Sequence, residues 1–245
     1  MNSIFPSKFP FITCRRFIYS ALLMLMTFLF LPSGKSQMVN ESTKKKISIG
    51  IGEFTDFWLN VPSDVKTRTI NQGFTIYSTY NIPFGKSQFS FAIGLGLTVH
   101  NMYGNFYVNS YTDSTTFKRI NDNVLYKKSK MTVSYLEIPA EFRFKSKSKV
   151  TVALGFKAGM LLSSSTKYFG DSITTYNYQV NQDEKTKIKL FGIKNLQQIT
   201  YGPTLRIGYS WINFYASYML STIFKSGTNE PQMYPVSIGI VLMPF

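Results

Sequence analysis

The chain of 245 residues carries a formal net charge of +15, is 16% aromatic and is only 16% charged. Its apolar content of 44% is too high for a chain that stays disordered throughout. A mean hydropathy near zero excludes a bundle of membrane-spanning helices as the main architecture. The length suits one or two ordinary domains or one large β domain.

The N-terminal segment has the parts of a secretory signal peptide. Basic residues precede the apolar run FIYSALLMLMTFLFLP, and the small residues Gly34 and Ser36 follow at the spacing of a cleavage site. We therefore predict a cleaved signal peptide over 1–36 and a short periplasmic segment over 37–45, with an uncleaved signal anchor as the alternative. Cys14, the only cysteine, lies in the signal, so the exported chain would have no disulfide.

Eight segments after residue 45 alternate apolar and polar residues with the period of a β-strand. The clearest is QFSFAIGLGLTVHN, residues 88–101, in which large apolar residues alternate with Gly, Ala, Ser and Thr. The other seven are KISIGIGEF, GFTIYSTYNIPF, MTVSYLEIPAEFRFKS, KVTVALGFKAGMLLSSS, QQITYGPTLRIGYS, INFYASYML and YPVSIGIVLMPF.

The connections between these segments alternate in length. Those after the second, fourth and sixth segments are tight, and the others run over approximately 58–72, 102–130, 164–196 and 225–233. Short periplasmic turns and long external loops are typical of outer-membrane barrels. We therefore predict an all-β fold, an eight-stranded antiparallel up-and-down transmembrane β-barrel over 46–245. It would lie in the cell outer membrane, with the N- and C-termini in the periplasm.

The segment YLEIPAEFRF mixes apolar side chains with charges, which a barrel wall accommodates by facing the two sets in opposite directions. Glu137, Glu141 and Arg143 would point into the lumen, where Lys157 and Arg206 could pair with them. Such a cluster is either a salt-bridged plug or a path for a proton or ligand, and the narrow interior of an eight-stranded barrel favours the plug.

The alternate side chains of the same strands would meet lipid. Pro139 cannot donate to a strand ladder, so we expect a local bulge there. The predicted lipid-facing residues are Phe89, Phe91, Ile93, Leu95, Leu136, Ile138, Phe142, Val152, Leu154 and Phe156.

YLEIPAEFRF, the lysine-rich turn after it and the ALGFKAG strand resemble the outer-membrane β-barrel family of Bacteroidetes that is often called PorT-like. The signal peptide ending in SQ and the terminal Phe245 are similar too. The resemblance implies an eight-stranded outer-membrane barrel. It also implies a link to type IX secretion and gliding, which the family's named member serves, although most members have no assigned role.

The sequence supplies no catalytic, cofactor or metal motif. His100, the only histidine, is predicted at the outer rim, near Ser110, Asp113 and Ser114 of the adjacent loop, but no motif links these residues. The glycines of IGIG and GLG do not open a helix as a nucleotide-binding loop does, and we expect them to relieve crowding inside the barrel.

Two predicted external loops are basic, and export argues against nucleic acid as their partner. They are either solvated or in contact with lipopolysaccharide phosphates, alongside outer-membrane lipid as the general partner. The basic residues are Lys118, Arg119, Lys127, Lys128 and Lys130 in one loop and Lys185, Lys187, Lys189 and Lys194 in the other.

The leading functional hypothesis is a non-enzymatic outer-membrane barrel that acts as a scaffold, an accessory protein or a surface-interaction protein. A lipid A-modifying enzyme with its site at the rim is one alternative. A soluble lipocalin-like ligand carrier is another, but it would need its apolar face inward and a charged face outward.

Overall fold

The computed structural model describes residues 46–111, 114–173 and 180–243. These residues form an all-β structure, and no helix among them is long and apolar enough to cross a membrane. The strands are β1 (Ile47–Leu59), β2 (Gln72–Pro83), β3 (Phe89–Tyr103), β4 (Phe106–Tyr111), β5 (Ser114–Arg119), β6 (Tyr126–Lys145), β7 (Val150–Ile173), β8 (Val180–Phe191), β9 (Ile199–Tyr209), β10 (Ile212–Tyr218) and β11 (Tyr234–Leu242).

Eight of the described strands close into an antiparallel barrel. The order is β1-β2-β3-β6-β7-β9-β10-β11, and β11 pairs with β1 to complete the ring. The prediction of an eight-stranded antiparallel barrel is thus confirmed, and each predicted strand corresponds to one of these eight. The predicted signal peptide and the segment before residue 46 lie outside the described residues.

The two ends of the barrel differ in how the strands are joined. At one end the connections are the short segments 84–88, 146–149 and 210–211, where Gly85, Lys149 and Ser210 adopt positive φ angles. Since Ile47 pairs with Tyr80 next to the first of these turns, the described part of the chain also begins at this end. We call it the short-turn end and the opposite one the long-loop end.

The long connections contain strands that the sequence pattern did not reveal. β4 and β5 form a separate hairpin between β3 and β6. β6 and β7 continue beyond the barrel, and β8 pairs with the extended part of β7. The predicted loops over 102–130 and 164–196 were therefore too long, because polar, lysine-rich strands above the apolar part of a barrel lack its alternating pattern.

Successive residues of each barrel strand alternate between a buried inner face and an outer face. All ten residues predicted to face lipid point outward, and Ile93, Ile138 and Leu154 among them are 43%, 50% and 61% exposed. Phe91, Leu136 and Val152 are half-buried. An outward apolar surface of this kind is what a barrel presents to lipid.

The expected bulge at Pro139 is wrong. Pro139 pairs with Lys157 on β7 in an unbroken register. On its other side the pairs Ile93–Ala140 and Gly96–Glu137 keep one register, which places Gly94 opposite the proline. A missing N–H costs one ladder bond but does not require an extra residue. The register shift of this strand pair lies between Ser134 and Tyr135 instead.

Glycines on the inner face let large side chains occupy the interior. A Cβ added to Gly73 would overlap the ring of Phe54, and one added to Gly50 would overlap the ring of Tyr77. Gly94 lies against the backbone of Ser78, so a side chain there would meet a group that cannot rotate away. These positions relieve crowding, as the sequence pattern indicated.

Candidate functional site

The barrel interior holds one carboxylate between two arginines. Glu141 and Arg143 come from β6, and Arg206 comes from β9. Arg143 Nε and Arg206 Nη2 donate to the same oxygen, Oε2 of Glu141, at 2.7 and 2.8 Å. Arg206 also donates to Oδ1 of Asn213 at 2.8 Å, and Arg143 donates to Thr79 Oγ1 at 3.0 Å. Glu141 is therefore paired with both arginines, and each arginine also contacts a residue of a further strand.

A second ion pair involves Glu137, which lies four residues before Glu141 in β6. Lys157 Nζ is 2.9 Å from Oε1 of Glu137. Thr98 Oγ1 donates to the other carboxylate oxygen at 2.6 Å and lies 3.0 Å from Thr75 Oγ1. These contacts thus join β2, β3, β6 and β7, which are consecutive neighbours in the barrel wall, along its inner face. Together with the first group, they bring all five predicted lumen residues into the barrel interior, each no more than 6% exposed.

A third group contains Asp56 and Ser237, which the sequence pattern did not mark as functional residues. Asp56 of β1 is fully buried, and its carboxylate contacts His100 Nδ1 at 3.0 Å and accepts a hydrogen bond from Ser237 Oγ at 2.6 Å. Asp56 follows Phe54 in the inward alternation of β1, but the predicted strand ended before it. The signal was present in EFTDFW as one further inward position.

The predicted position of His100 at the rim is wrong, since its side chain is only 1% exposed inside the barrel. Its partner is Asp56 rather than a loop residue: Ser114 is exposed, and Asp113 and the side chain of Ser110 lie outside the described residues. The Asp56 carboxylate stands between His100 and Ser237, so no serine–histidine hydrogen bond of the nucleophilic type forms here. No described residue hydrogen-bonds the Nε2 atom of His100.

The buried ionisable side chains of the interior contact one another. Glu141 contacts Arg143 and Arg206, Glu137 contacts Lys157, and Asp56 contacts His100. Charges inside a membrane protein are expensive unless they pair in this way. Because an eight-stranded barrel is only wide enough for its own side chains, these groups share the interior with the buried rings of Phe54, Tyr77 and Tyr215. We call the ion pairs and the side chains packed around them the plug.

Above the plug, an apolar cluster closes the long-loop end. Every long connection contributes to it, and the inward residues at the adjacent strand ends complete it. Its buried members are Trp58, Val65, Met102, Phe106, Val108, Met131, Val133, Tyr135, Ile193, Leu196, Met219, Ile223, Phe224 and Met233. We call this group the apolar cap. Sequence reading missed it, because its residues are separated in the chain and belong to loops without a regular pattern.

Hydrogen bonds to Glu230 join the loops that form the apolar cap. Glu230, in the last long connection, accepts hydrogen bonds from the backbone of Thr115 at 2.9 Å and from Asn195 at 2.7 Å. These groups belong to the β4–β5 hairpin and to the segment after β8. Burial would raise the pKa of Glu230, but the hydrogen bonds outweigh it and lower the pKa below its usual value. Three loops are thus held together by one ionised carboxylate.

Lysines line up on the outer face of the extended strands. Tyr103, Lys130, Lys167 and Lys189 are directly paired neighbours on β3, β6, β7 and β8. The next pairs along the same face join Lys128 to Phe169 and Phe169 to Lys187. Direct cross-strand partners share one face of a sheet. We call Lys128, Lys130, Lys167, Lys187 and Lys189 the lysine rows.

The positive charges of the lysine rows repel one another. None of these five side chains takes part in an ion pair among the described residues. Partial burial, and then the charges of Lys128, Lys167 and Lys189, lower the pKa of Lys130 from 10.5 to about 8. Like charges placed directly opposite on neighbouring strands are destabilising.

The remaining basic loop residues do not join this arrangement as a group. Lys127 lines a cavity of about 790 Å³ beside the lysine rows, together with Arg68. Arg119 pairs with exposed Asp122 at 2.9 Å. Lys118, Lys185 and Lys194 are exposed on β5, on β8 and after β8. The structure therefore gathers part of each basic loop into one surface.

Within the described ranges, no group of three or more His, Cys, Asp and Glu side chains could hold a metal ion. The arrangement offers ion pairs, hydrogen bonds and a cationic exterior. The ion pairs and hydrogen bonds can stabilise the barrel wall and exclude water from the interior, and the cationic exterior can attract anions.

Two solved structures and one protein family resemble this chain. The crystal structure of Ail, the attachment invasion locus protein of Yersinia pestis, is 13% identical with a TM-score of 0.36, covering 81% of this chain and 97% of that one. A structure of Ail in complex with the heparin analogue sucrose octasulfate is 14% identical with a TM-score of 0.35 and the same coverage. A comparison with curated protein sequences gives no match. The family described as outer membrane protein beta-barrel domain matches residues 44–222. The chain therefore belongs to the outer membrane protein beta-barrel domain family and is an outer-membrane β-barrel protein.

Proposed function

We propose that this protein is a non-conducting, non-enzymatic barrel whose function lies in the surface at its long-loop end. The observation that carries the proposal is the double closure of the interior by the charge network and the apolar cap. A protein built in this way offers no path for solutes. Its elaborated end, with the β4–β5 hairpin and the extension of β6 to β8, is then the part available to partners.

The orientation is part of the proposal. Bacterial outer-membrane barrels have short turns in the periplasm and long loops outside. On that basis the short-turn end, with residue 46, faces the periplasm, and the lysine rows face the cell exterior. Both chain termini then lie on the periplasmic side.

Planar-bilayer recording tests the closed interior. The purified protein should insert without steady porin-like current. The variant Arg143→Ala, Lys157→Ala, Arg206→Ala removes three cations from the interior and leaves Glu137 and Glu141 unpaired, so it should be less stable and should conduct intermittently. A large, stable conductance in the unmodified protein would overturn the proposal.

The two alternatives find less support in the geometry. A lipocalin-like carrier needs an apolar interior, whereas this barrel has buried ion pairs inside and mostly large apolar side chains outside, with Glu53 as an exposed acidic residue among them. A lipid A-modifying enzyme at the rim would need an accessible base, whereas the only histidine is buried beside Asp56. Mass spectrometry of lipid A with and without the gene tests the enzyme directly, and we expect identical masses.

The PorT-like resemblance supports a second candidate role, as an accessory protein of type IX secretion. The YLEIPAEFRF and ALGFKAG segments that carry the resemblance form adjacent parts of β6 and β7, where Glu141, Arg143 and Lys157 arise. Deletion of the gene should then lower the amount of type IX cargo in the culture medium while leaving other outer-membrane proteins unchanged. Normal secretion in the deletion strain would exclude this role.

A further inference from the structure

The outer face of β6 and β7 changes character in ordered steps along the barrel wall. Ile138 pairs with Ala158, and Leu136 pairs with Met160, within the apolar surface. The next pair outward is Ser134–Ser163. Leu162, which is 40% exposed, lies between these pairs at the register shift, and a step of hydroxyl side chains begins beyond it.

Beyond the hydroxyl step come Thr132–Ser165 and then Lys130–Lys167. Lys130 lies four residues beyond Ser134, or about 13 Å along the strand. Because barrel strands tilt by about 35–45°, the height of Lys130 above Ser134 is roughly 10 Å. The order apolar, hydroxyl, cation matches the order hydrocarbon, sugar, phosphate in a glycolipid leaflet.

Among the residues that the structure describes, no acidic side chain forms an ion pair with the lysine rows. The aromatic ring of Tyr103 compensates them in part, since Lys128 Nζ and Lys130 Nζ lie 5.5 and 5.4 Å from its centroid. Arg68 Cζ is 5.4 Å from the same centroid. Cation–π contacts of this kind are weaker than a charge-assisted hydrogen bond to phosphate. The surface is thus built to accept anions that the described chain does not supply.

We propose that the lysine rows bind the phosphate groups of lipopolysaccharide in the outer leaflet. The inference rests on the proposed orientation, which places the long-loop end outside the cell. A membrane glycolipid is favoured over a soluble phosphate because the lysine side chains project from the wall that faces lipid, directly above its apolar surface. Bound phosphate would also neutralise the cross-strand repulsion of Lys130, Lys167 and Lys189.

The test measures lipid A binding to folded protein in neutral detergent by native mass spectrometry. Bis-phosphorylated lipid A, fully dephosphorylated lipid A and inorganic pyrophosphate are titrated separately. The row variant is Lys130→Gln, Lys167→Gln, Lys189→Gln. The control variant, Lys86→Gln, Lys145→Gln, Lys147→Gln, removes the same charge from exposed turns at the short-turn end.

We expect the row variant to bind bis-phosphorylated lipid A on the order of 10- to 100-fold more weakly, since each basic residue near an anionic lipid surface contributes severalfold. The control variant should bind like the unmodified protein. The row variant should fold, as shown by its heat-dependent gel shift, and without lipid it should be at least as stable as the parent because repulsion is relieved.

Three results would overturn the inference. Equal binding of dephosphorylated lipid A by the parent would show that phosphate is not recognised. Pyrophosphate binding as tight as lipid A binding would identify a soluble ligand. Equal losses in the row and control variants would reduce the effect to net charge. If the protein carries no current in planar bilayers and does not bind lipid A, only this inference is refuted. If the protein conducts steadily, the proposed function is refuted.

Discussion

Lys157 Nζ lies 2.9 Å from Oε1 of Glu137 in the barrel interior, and each residue is only 5% exposed. Both charges are therefore almost completely shielded from solvent. Removing one member of such a pair leaves an uncompensated buried charge, which typically costs about 3–5 kcal/mol. Removing both in favour of groups of similar volume is often close to neutral.

We therefore expect Glu137→Gln to destabilise the barrel by about 3–5 kcal/mol. The double variant Glu137→Gln, Lys157→Met should recover most of that loss. Reversible urea unfolding in lipid vesicles measures both. If the double variant is as unstable as the sum of its single variants, the two residues do not interact as the geometry indicates.

The outer face of β6 permits a matched pair of arginine substitutions. Ile138 is 50% exposed in the apolar surface, and Thr132 is on the same face near the lysine rows. Ile138→Arg should cost about 2–4 kcal/mol if it enters the bilayer midplane, and Thr132→Arg only about 0–1 kcal/mol near the interface. Folding yield and unfolding free energy in vesicles test this. Equal costs at the two positions would place the membrane elsewhere on the barrel.

The titration of Lys130 reports on the lysine rows. Its pKa is lowered to about 8 by burial and by Lys128, Lys167 and Lys189. Lys167→Gln with Lys189→Gln should therefore raise the pKa of Lys130 toward its usual value, which NMR of isotopically labelled lysine can follow. An unchanged pKa would mean that the lysines do not sense one another.

The lowered pKa of Lys130 determines how its contribution to folding stability changes with pH. The folded-state pKa of Lys130 lies below its unfolded value of 10.5, so the unfolded state binds more protons between about pH 8 and 10.5. The contribution of this residue to stability should therefore rise as the pH rises through that window. Lys130→Gln should flatten the rise, while Lys147→Gln, at an exposed turn, should leave it unchanged.

The sequence predicted the barrel well because a lipid-facing wall imposes a strict period of two. In β3 the large residues Ile93 and Leu95 fall on one face, and the small residues Ala92 and Gly94 fall on the other. Glu137 and Arg143 followed from the same alternation, since charges in such a strand have only the interior available. In the structure Glu137 pairs with Lys157, whereas Arg143 and Arg206 both pair with Glu141.

The missed features arise where that period does not apply. The apolar cap is built from residues as far apart as Val65 and Met233, which only the folded loops bring together. Asp56 was missed because the predicted first strand ended at Phe54, and His100 was placed at the rim because it lies next to the end of the predicted third strand. The alignment of Lys130 with Lys167 and Lys189 depends on cross-strand register, which short-range sequence patterns do not specify.

Tryptophan fluorescence quenching tests most directly the central claim that apolar side chains meet lipid around a sealed interior. The chain has two tryptophans: Trp58 in the apolar cap and Trp211 at a short turn. In the variant Trp211→Phe, neither brominated lipid nor aqueous acrylamide should quench Trp58. In the variant Trp58→Phe, Trp211→Phe, Leu154→Trp, brominated lipid should quench strongly, because Leu154 is 61% exposed on the lipid-facing side. Quenching of Trp58 by acrylamide, or no quenching at position 154 by brominated lipid, would contradict the account.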